Sequence, residues 1–379
     1  MRIAVLNRHF SVTGGGAERY SIALVEALAA RHEIHVFAQT IDHDWPGVRY
    51  HRVSAPLSRS RWLNQLWFAS ATWWATRRGF DVVHSHENSW HGDVQTVHVL
   101  PVRHNLFQGR SGFRRALRWV KVALSPRLLS YLALEHWRYA CRPGRCTVVT
   151  SATLRRVMAA SYPASAASTS VITPGITLPT LASTECKQLA RARLGLPASG
   201  NCALFAGNDY RKKGLAALLN ALATLPVGIF VAVVGNEAQR PAFESQAAAL
   251  GLSQRVFFLG SLKDMTLAYQ AADCLVHPTL EDTFAMVVLE ALSHGLPVLV
   301  SSARYCGIAA LLAHEANALI VEDPRDSQAL ARSLGRLIDE PALRERLSLG
   351  ARAFAMPYQW ADLARAQEAV YLESAARRA

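Results

Sequence analysis

The sequence predicts an α/β protein made of two Rossmann-like, doubly wound domains in tandem. Three observations carry that prediction. Short apolar, β-rich runs alternate with stretches of helical periodicity along the whole chain, the pattern of parallel sheets flanked by helices. The alternation restarts near residue 200 as a second series of the same kind. At 379 residues the chain is long enough for two domains of ordinary size.

The first series opens with "RIAVLN", a Gly-rich turn and "AERYSIALVEALAAR", in which Ile22, Leu24, Val25 and Leu28 fall at helical spacing. "EIHVFAQ", "DVVHSH", "DVQTVHVL" and "CTVVTS" follow as strands. The second series reads "CALFAG", helix, "IFVAVVG", helix, "VFFLG", "CLVHP", helix, "PVLVS" and "ALIVE". Two prolines and a glycine in "VITPGITLP" mark the hinge. The expected domains are therefore 1–175 and 176–356, with a terminal helix over 357–379 after Pro357. Ligands of open α/β sheets bind at the carboxyl ends of the strands, so two such domains facing each other make a cleft, and the informative residues should lie just after strands.

Composition narrows the function. Hydrophobic residues make up 51% and charged residues 18%, which is globular. The longest apolar runs, such as "LPVGIFVAVVG", are too short to span a bilayer, and "MRIAVLNRHF" reads as a first strand and not a signal peptide. A cytoplasmic protein is expected. Its six cysteines form no C-x-x-C pair, so neither a zinc site nor a disulfide scaffold is indicated.

The net charge is +13, and all of the excess sits in residues 1–175, with 22 Lys and Arg against 9 Asp and Glu. Eight of the nine tryptophans lie there too. Arg clusters interleave with aromatics in "SRSRWLNQLWFASATWWATRRGF" and "GRSGFRRALRWVKVALSPRLLSYLALEHWRYA". On a helix this suits an anionic membrane surface or a phosphorylated acceptor. No recognised nucleic-acid module accompanies it, so nucleic acid is not an expected partner.

Three stretches carry candidate chemistry. "VTGGGAERY" follows the first strand, and Gly15 and Gly16 are candidates for close backbone approach to a phosphate or a donor sugar. "FAGNDYRKKG" follows the first strand of the second domain. Its cations Arg211, Lys212 and Lys213 precede a helix N-terminus, an unfavourable place for positive charge unless an anion binds there. A diphosphate satisfies cations and helix amides together. "PTLEDTFAMVVLEALSHGLPVLVS" places Glu281, Asp282 and Glu290 around a helix start. With a helix beginning near Thr283, the amides of Phe284, Ala285, Met286 and Val287 are open to phosphate or sugar oxygens. Glu290 then lies about two turns in.

These stretches, in this order, resemble glycosyltransferase family 4, retaining and metal-independent enzymes of the two-Rossmann GT-B fold. "GGAERY", "GNDYRKKG", "VFFLG", "EDTFAMVVLEALSHGLPVL" and "ALIVEDPRD" carry the resemblance across nearly the whole chain. It implies a last helix crossing back to the first domain and no metal or other cofactor. It also implies a nucleotide-diphospho-sugar donor, a UDP-sugar being favoured, and a glycan or glycolipid acceptor of lipopolysaccharide-core type at the inner face of the cytoplasmic membrane. Lys213 carries over onto the leaving diphosphate, with Arg211 or Lys212 beside it. Glu290 carries over onto the ribose, and the backbone around Val256 and Phe258, after its strand, onto the base. The family's first acidic position is Glu, separated by seven residues from the second; here it is Asp282, one methylene shorter, with Glu281 adjacent. Either residue fills it. The Arg usual after the Gly of the Lys motif is Asn208 here.

The family places a histidine near the anomeric carbon, and His98 in "DVQTVHVLP" is the candidate, ahead of His84 or Glu87. His84, His86, His91, His98 and His104 crowd this region, but their spacings do not fit a helical metal site. Other readings are a nucleotide-sugar epimerase of the same architecture and a non-catalytic nucleotide- or membrane-binding homologue.

Overall fold

The computed structural model describes residues 1–11 and 15–378. The chain divides into two units, Met1–Gly175 with Trp360–Ala379, and Ile176–Gln359. Part of the first glycine stretch, Val12 to Gly14, lies outside the described residues, as does Ala379.

In the first unit the strands are β1 (Arg2–Leu6), β2 (His9–Ser11), β3 (Glu33–Ala38), β4 (Thr40–Asp42), β5 (Val48–Arg52), β6 (Val82–Ser85), β7 (Val94–Val97), β8 (Cys146–Val149) and β9 (Thr169–Val171). Between them lie α1 (Gly16–Ala29), α2 (Arg61–Thr76), α3 (Val102–Phe107), α4 (Gly112–Ala123), α5 (Pro126–Arg138) and α6 (Ala152–Ser161). The main sheet runs β5-β3-β1-β6-β7-β8-β9, every pairing parallel. Parallel strands covered on both faces read as unbroken apolar runs, and β1, β6, β7 and β8 are buried almost throughout.

The second unit repeats the plan with β10 (Asn201–Ala206), β11 (Ile229–Val234), β12 (Val256–Gly260), β13 (Cys274–His277), β14 (Val298–Ser301) and β15 (Leu319–Val321). Its helices are α7 (Thr184–Arg193), α8 (Leu215–Ala223), α9 (Arg240–Ala249), α10 (Thr266–Ala271), α11 (Met286–Ser293), α12 (Ser327–Asp339) and α13 (Pro341–Ala355). The sheet order is β12-β11-β10-β13-β14-β15, again all parallel. Alternate side chains of β10 and β11 serve opposite cores. Cys202, Leu204, Phe230, Ala232 and Val234 pack on one face, and Ala203, Phe205, Ile229, Val231 and Val233 on the other.

In both sheets the chain winds outward from a central strand, then returns to wind the other way. The crossover points fall between β1 and β6, and between β10 and β13. Such switch points open a crevice at the strand carboxyl ends, where doubly wound sheets take ligands.

The last helix, α14 (Trp360–Arg378), belongs to the first unit. Trp360 meets the Tyr20 ring edge-on at 5.7 Å, the Tyr371 hydroxyl lies 2.7 Å from His84 Nδ1, and Glu368 accepts from Arg31 and His32, both at 2.7 Å. Among the described residues, no helix is long and apolar enough to cross a membrane.

Candidate functional site

In the second unit the switch point is built from the loop after β10 and the loop after β13. Gly214 makes their approach possible. It sits at φ +81°, and a Cβ there would lie 2.0 Å from the Pro278 carbonyl oxygen. The Leu280 amide then donates to the Lys212 carbonyl at 2.8 Å, locking one loop to the other.

This brings Lys213 onto Asp282. The ammonium donates to Asp282 Oδ2 at 2.6 Å and to the Glu281 carbonyl at 3.3 Å. His277, the last residue of β13, contacts the same carboxylate oxygen through Nε2 at 3.2 Å. Oδ1 accepts from the amides of Phe284 at 3.3 Å and Ala285 at 2.8 Å. Burial alone would raise the Asp282 pKa, but the His277 hydrogen bond and the Lys213 charge outweigh it and hold the group well below the usual carboxylate range. Burial pushes His277 the other way, below its ordinary value, so its ring is neutral and donates from Nε2. Its Nδ1 is buried without a partner. The result is a carboxylate held ionised beside a lysine at the carboxyl end of a parallel sheet.

The helix begins later than the sequence suggested. α11 starts at Met286 and not near Thr283, because the Asp282 carboxylate caps two amides ahead of it and Ala285 turns left-handed at φ 73°. The amides of Phe284 and Ala285 are thus already engaged, which corrects their assignment as open donors. The Phe284 and Ala285 side chains are buried in the core, and Met286 and Val287 pack against it. Thr283 is half-buried in the same turn. Glu290 is the fifth residue of α11, and its Oε2 accepts from the Tyr269 hydroxyl at 2.5 Å.

The remaining cations are more exposed. Lys212 lies 3.4 Å from Glu281 Oε1, and Arg211 is exposed, its amide donating to Gln239. Val256 and Phe258 require a second correction. They lie within β12, not after it, with Val256 at its amino end and its side chain in the core. The carboxyl end of that strand is Gly260.

In the first unit Gly15 precedes α1 and Gly16 is its first residue; the Gly15 carbonyl accepts from the Arg19 amide. Across the β1/β6 switch point, Arg8 is held by Glu87 through its amide and its Nε, both at 3.0 Å. His98 follows β7, with Nε2 2.9 Å from His86 Nδ1 and the two rings stacked. The Tyr20 ring meets His98 edge-on at 5.0 Å. Burial and the nearby Arg138 charge push His98 down to about 3, so it is a neutral imidazole near pH 7. His84 is fully buried and engaged with Tyr371 and Thr96, which makes it a structural residue. Among the described residues, no group of three or more His, Cys, Asp and Glu is placed to hold a metal.

Sequence reasoning missed His277 and Tyr269. The signal for His277 was present, since it ends "CLVH" at the carboxyl end of a central strand. Tyr269 left no such signal, because its partner lies 21 residues on.

Comparison with known proteins accounts for both halves. Residues 14–178 match the model "Glycosyltransferase Family 4", and residues 187–354 match "Glycosyl transferases group 1". A D-inositol 3-phosphate glycosyltransferase of Xylanimonas cellulosilytica is 32% identical over 219 residues, covering 55% of this chain and 52% of that protein. The lipopolysaccharide glucosyltransferase WaaG of Escherichia coli is 30% identical over 173 residues, covering 45% and 46%. The chain thus spans about half the length of the curated relatives it matches. Among solved structures, WaaG aligns with a TM-score of 0.83 over 98% of this chain and 99% of its own, at 22% identity. Anabaena HepE in complex with UDP-glucose aligns at 0.78 over 99% and 100%, at 19% identity. With a family model on each half and a parallel doubly wound sheet in each unit, the chain belongs to glycosyltransferase family 4, of the GT-B fold.

Proposed function

We propose that the chain is a retaining, metal-independent hexosyltransferase. It moves a sugar from a nucleotide-diphospho-sugar, a UDP-sugar by preference, to a glycan or lipid acceptor at the cytoplasmic face of a membrane. The observation that carries the reading is the Lys213–Asp282 pair at the β10/β13 switch point. The UDP-glucose complex of HepE supports the donor class, and the relative named for lipopolysaccharide glucosylation supports the acceptor class.

The chemistry assigned to each group follows from its charge. As the C1–O bond to the β-phosphate breaks, negative charge gathers on the departing diphosphate. Lys213, with Arg211 or Lys212, neutralises it without reorganising at the moment of reaction. Glu290, steadied by Tyr269, accepts from the ribose hydroxyls. Asp282 and the neutral His98 orient the donor sugar. The acceptor hydroxyl attacks C1 from the leaving-group face and passes its proton to a β-phosphate oxygen, so configuration at C1 is retained.

The membrane part of the reading rests on α4. Val122 is its one fully buried residue, while Phe113, Leu117, Trp119 and Val120 are exposed among Arg114, Arg115, Arg118 and Lys121. Trp67, Trp73, Trp74 and Trp137 are exposed on the same unit, and Arg77 stacks 3.5 Å over Trp74. Such a face binds anionic headgroups and buries apolar side chains at their boundary.

Thermal stability measured with UDP, GDP, ADP and CMP, with and without EDTA, tests the donor assignment. A ligand at a hundred times its Kd stabilises by about 2.7 kcal/mol, a shift of a few degrees. A shift with UDP that survives EDTA is expected; the absence of any shift across the panel counts against the donor site.

A further inference from the structure

On the first unit, α2, α5 and the turn bearing Trp90 enclose a surface groove of about 500 Å³. Leu66, Trp90, Ala133, Leu134 and Trp137 line it, and Arg142 is the one charged side chain among the described lining residues. The Arg142 guanidinium lies 5.4 Å from the Trp137 ring centroid. Behind the groove, the buried Arg145 donates to the backbone carbonyls of both Trp137 and Trp90, so one guanidinium fixes the two segments that present the tryptophans. The groove is therefore preformed.

Its size falls within the range of ligand sites, and its walls offer side-chain hydrogen bonds only at Ser130, the Trp ring nitrogens and, at the edge, Arg142. Tryptophan and arginine together at the edge of an apolar wall suit a ligand with a hydrocarbon body and an anionic end. The wall made by α5 packs against α4, the helix whose exposed Phe113, Leu117 and Val120 alternate with cations. We propose that this groove takes one acyl chain of an anionic phospholipid, with Arg142 on the phosphate. The proposal rests on the membrane-facing reading of this unit and adds to it a discrete lipid site, distinct from surface adsorption.

The test uses the full chain and dioctanoyl-phosphatidylglycerol below its critical micelle concentration, so no bilayer is present. Titration calorimetry is expected to show saturable one-to-one binding. Ala133→Phe, on the α5 wall, fills the groove and should weaken binding by at least about tenfold with an unchanged melting temperature. Arg142→Gln should weaken it by about fivefold, the range of one exposed charge pair. Flotation on phosphatidylcholine/phosphatidylglycerol vesicles separates the two readings. Replacing Arg114, Arg115, Arg118 and Lys121 with Gln should abolish flotation and leave short-chain binding intact. Flotation without saturable short-chain binding, or binding indifferent to Ala133→Phe, overturns the groove and leaves it to an apolar protein segment. Short-chain binding without flotation keeps the groove and removes the membrane reading instead.

Discussion

The Lys213 ammonium and the Asp282 carboxylate stand 2.6 Å apart, joined across the crossover between β10 and β13 although they are 69 residues apart in the chain. The pair is half-buried, with side chains 21% and 16% exposed, so its attraction is stronger than that of a surface ion pair. Asp282 supplies the lysine with a fixed partner. Under the proposed function, a diphosphate there would meet a cation already fixed in place, the preorganisation that charge stabilisation in a transition state requires.

Lys213→Ala should therefore lower turnover by at least about a hundredfold, the cost of removing one such stabilising donor. The variant should still fold, because Asp282 keeps His277 and two backbone amides. Nucleotide release from UDP-glucose in the presence of a glycan acceptor is the readout. Turnover close to wild type in a folded variant rejects the role given to Lys213.

Asp282 has two separable duties, and two substitutions part them. Asp282→Asn retains an oxygen for the Phe284 and Ala285 amides but gives up the charge facing Lys213. Asp282→Ala gives up both, and losing the cap should cost about 1 kcal/mol more in urea unfolding. Because the folded pKa of Asp282 is depressed, its ionic contribution is present above the unfolded value of about 4 and is lost as pH falls below it. Asp282→Asn should remove that part of the acid sensitivity. Equal stabilities for the two variants would show that the cap contributes nothing.

Much of this architecture was legible in the sequence, for a physical reason. Parallel strands covered on both faces must be apolar throughout, so "CALFAG", "IFVAVVG" and "PVLVS" announce themselves. Ligand groups of such sheets follow strands, which is why Lys213 and Asp282 stood out as candidates, and the fold pairs them at the switch point. The start of α11 was hidden because a side chain, not helix propensity, decides it, through the capping oxygen of Asp282 and the left-handed Ala285. Val256 and Phe258 were misplaced because strand boundaries depend on pairing, and β12 pairs with β11 from Val256 onward. Tyr269 and His277 reach their carboxylates only through tertiary packing. Which aromatics of the basic segments face outward was likewise undecidable from periodicity, since α2 buries Phe68 and exposes Trp67, Trp73 and Trp74.

Under the proposed function, Tyr269 acts through Glu290 as a positioning residue. Removing its hydroxyl takes one hydrogen bond from the carboxylate proposed to hold the ribose and leaves the Lys213–Asp282 pair untouched. Tyr269→Phe should raise the KM for the donor about tenfold, the worth of one hydrogen bond to a charged group, and change kcat by less than about twofold. A fall in kcat at constant KM would place Tyr269 in the transition state and not in donor binding.

His91 makes the pH dependence of folding testable. It is 8% exposed, and both ring nitrogens are buried without a partner. Burial, with the Arg145 charge nearby, pushes its pKa down to about 4 from an ordinary value near 6.5. Between those values the unfolded chain binds a proton at this site and the folded protein does not. Stability is therefore full above about pH 6.5 and falls as the solution is acidified toward pH 4, by up to about 1.4 kcal/mol per pH unit from this group. His84 and His98, both held near 3, add to the same slope. His91→Phe replaces an unsatisfied polar ring with an apolar one of similar shape, so stability at pH 7 should hold or rise. Its unfolding free energy should fall less steeply between pH 6.5 and 4 than that of the wild type. Urea unfolding at half-unit pH steps reads both effects, and superimposable slopes for the two proteins would mean that His91 is already solvated in the folded state.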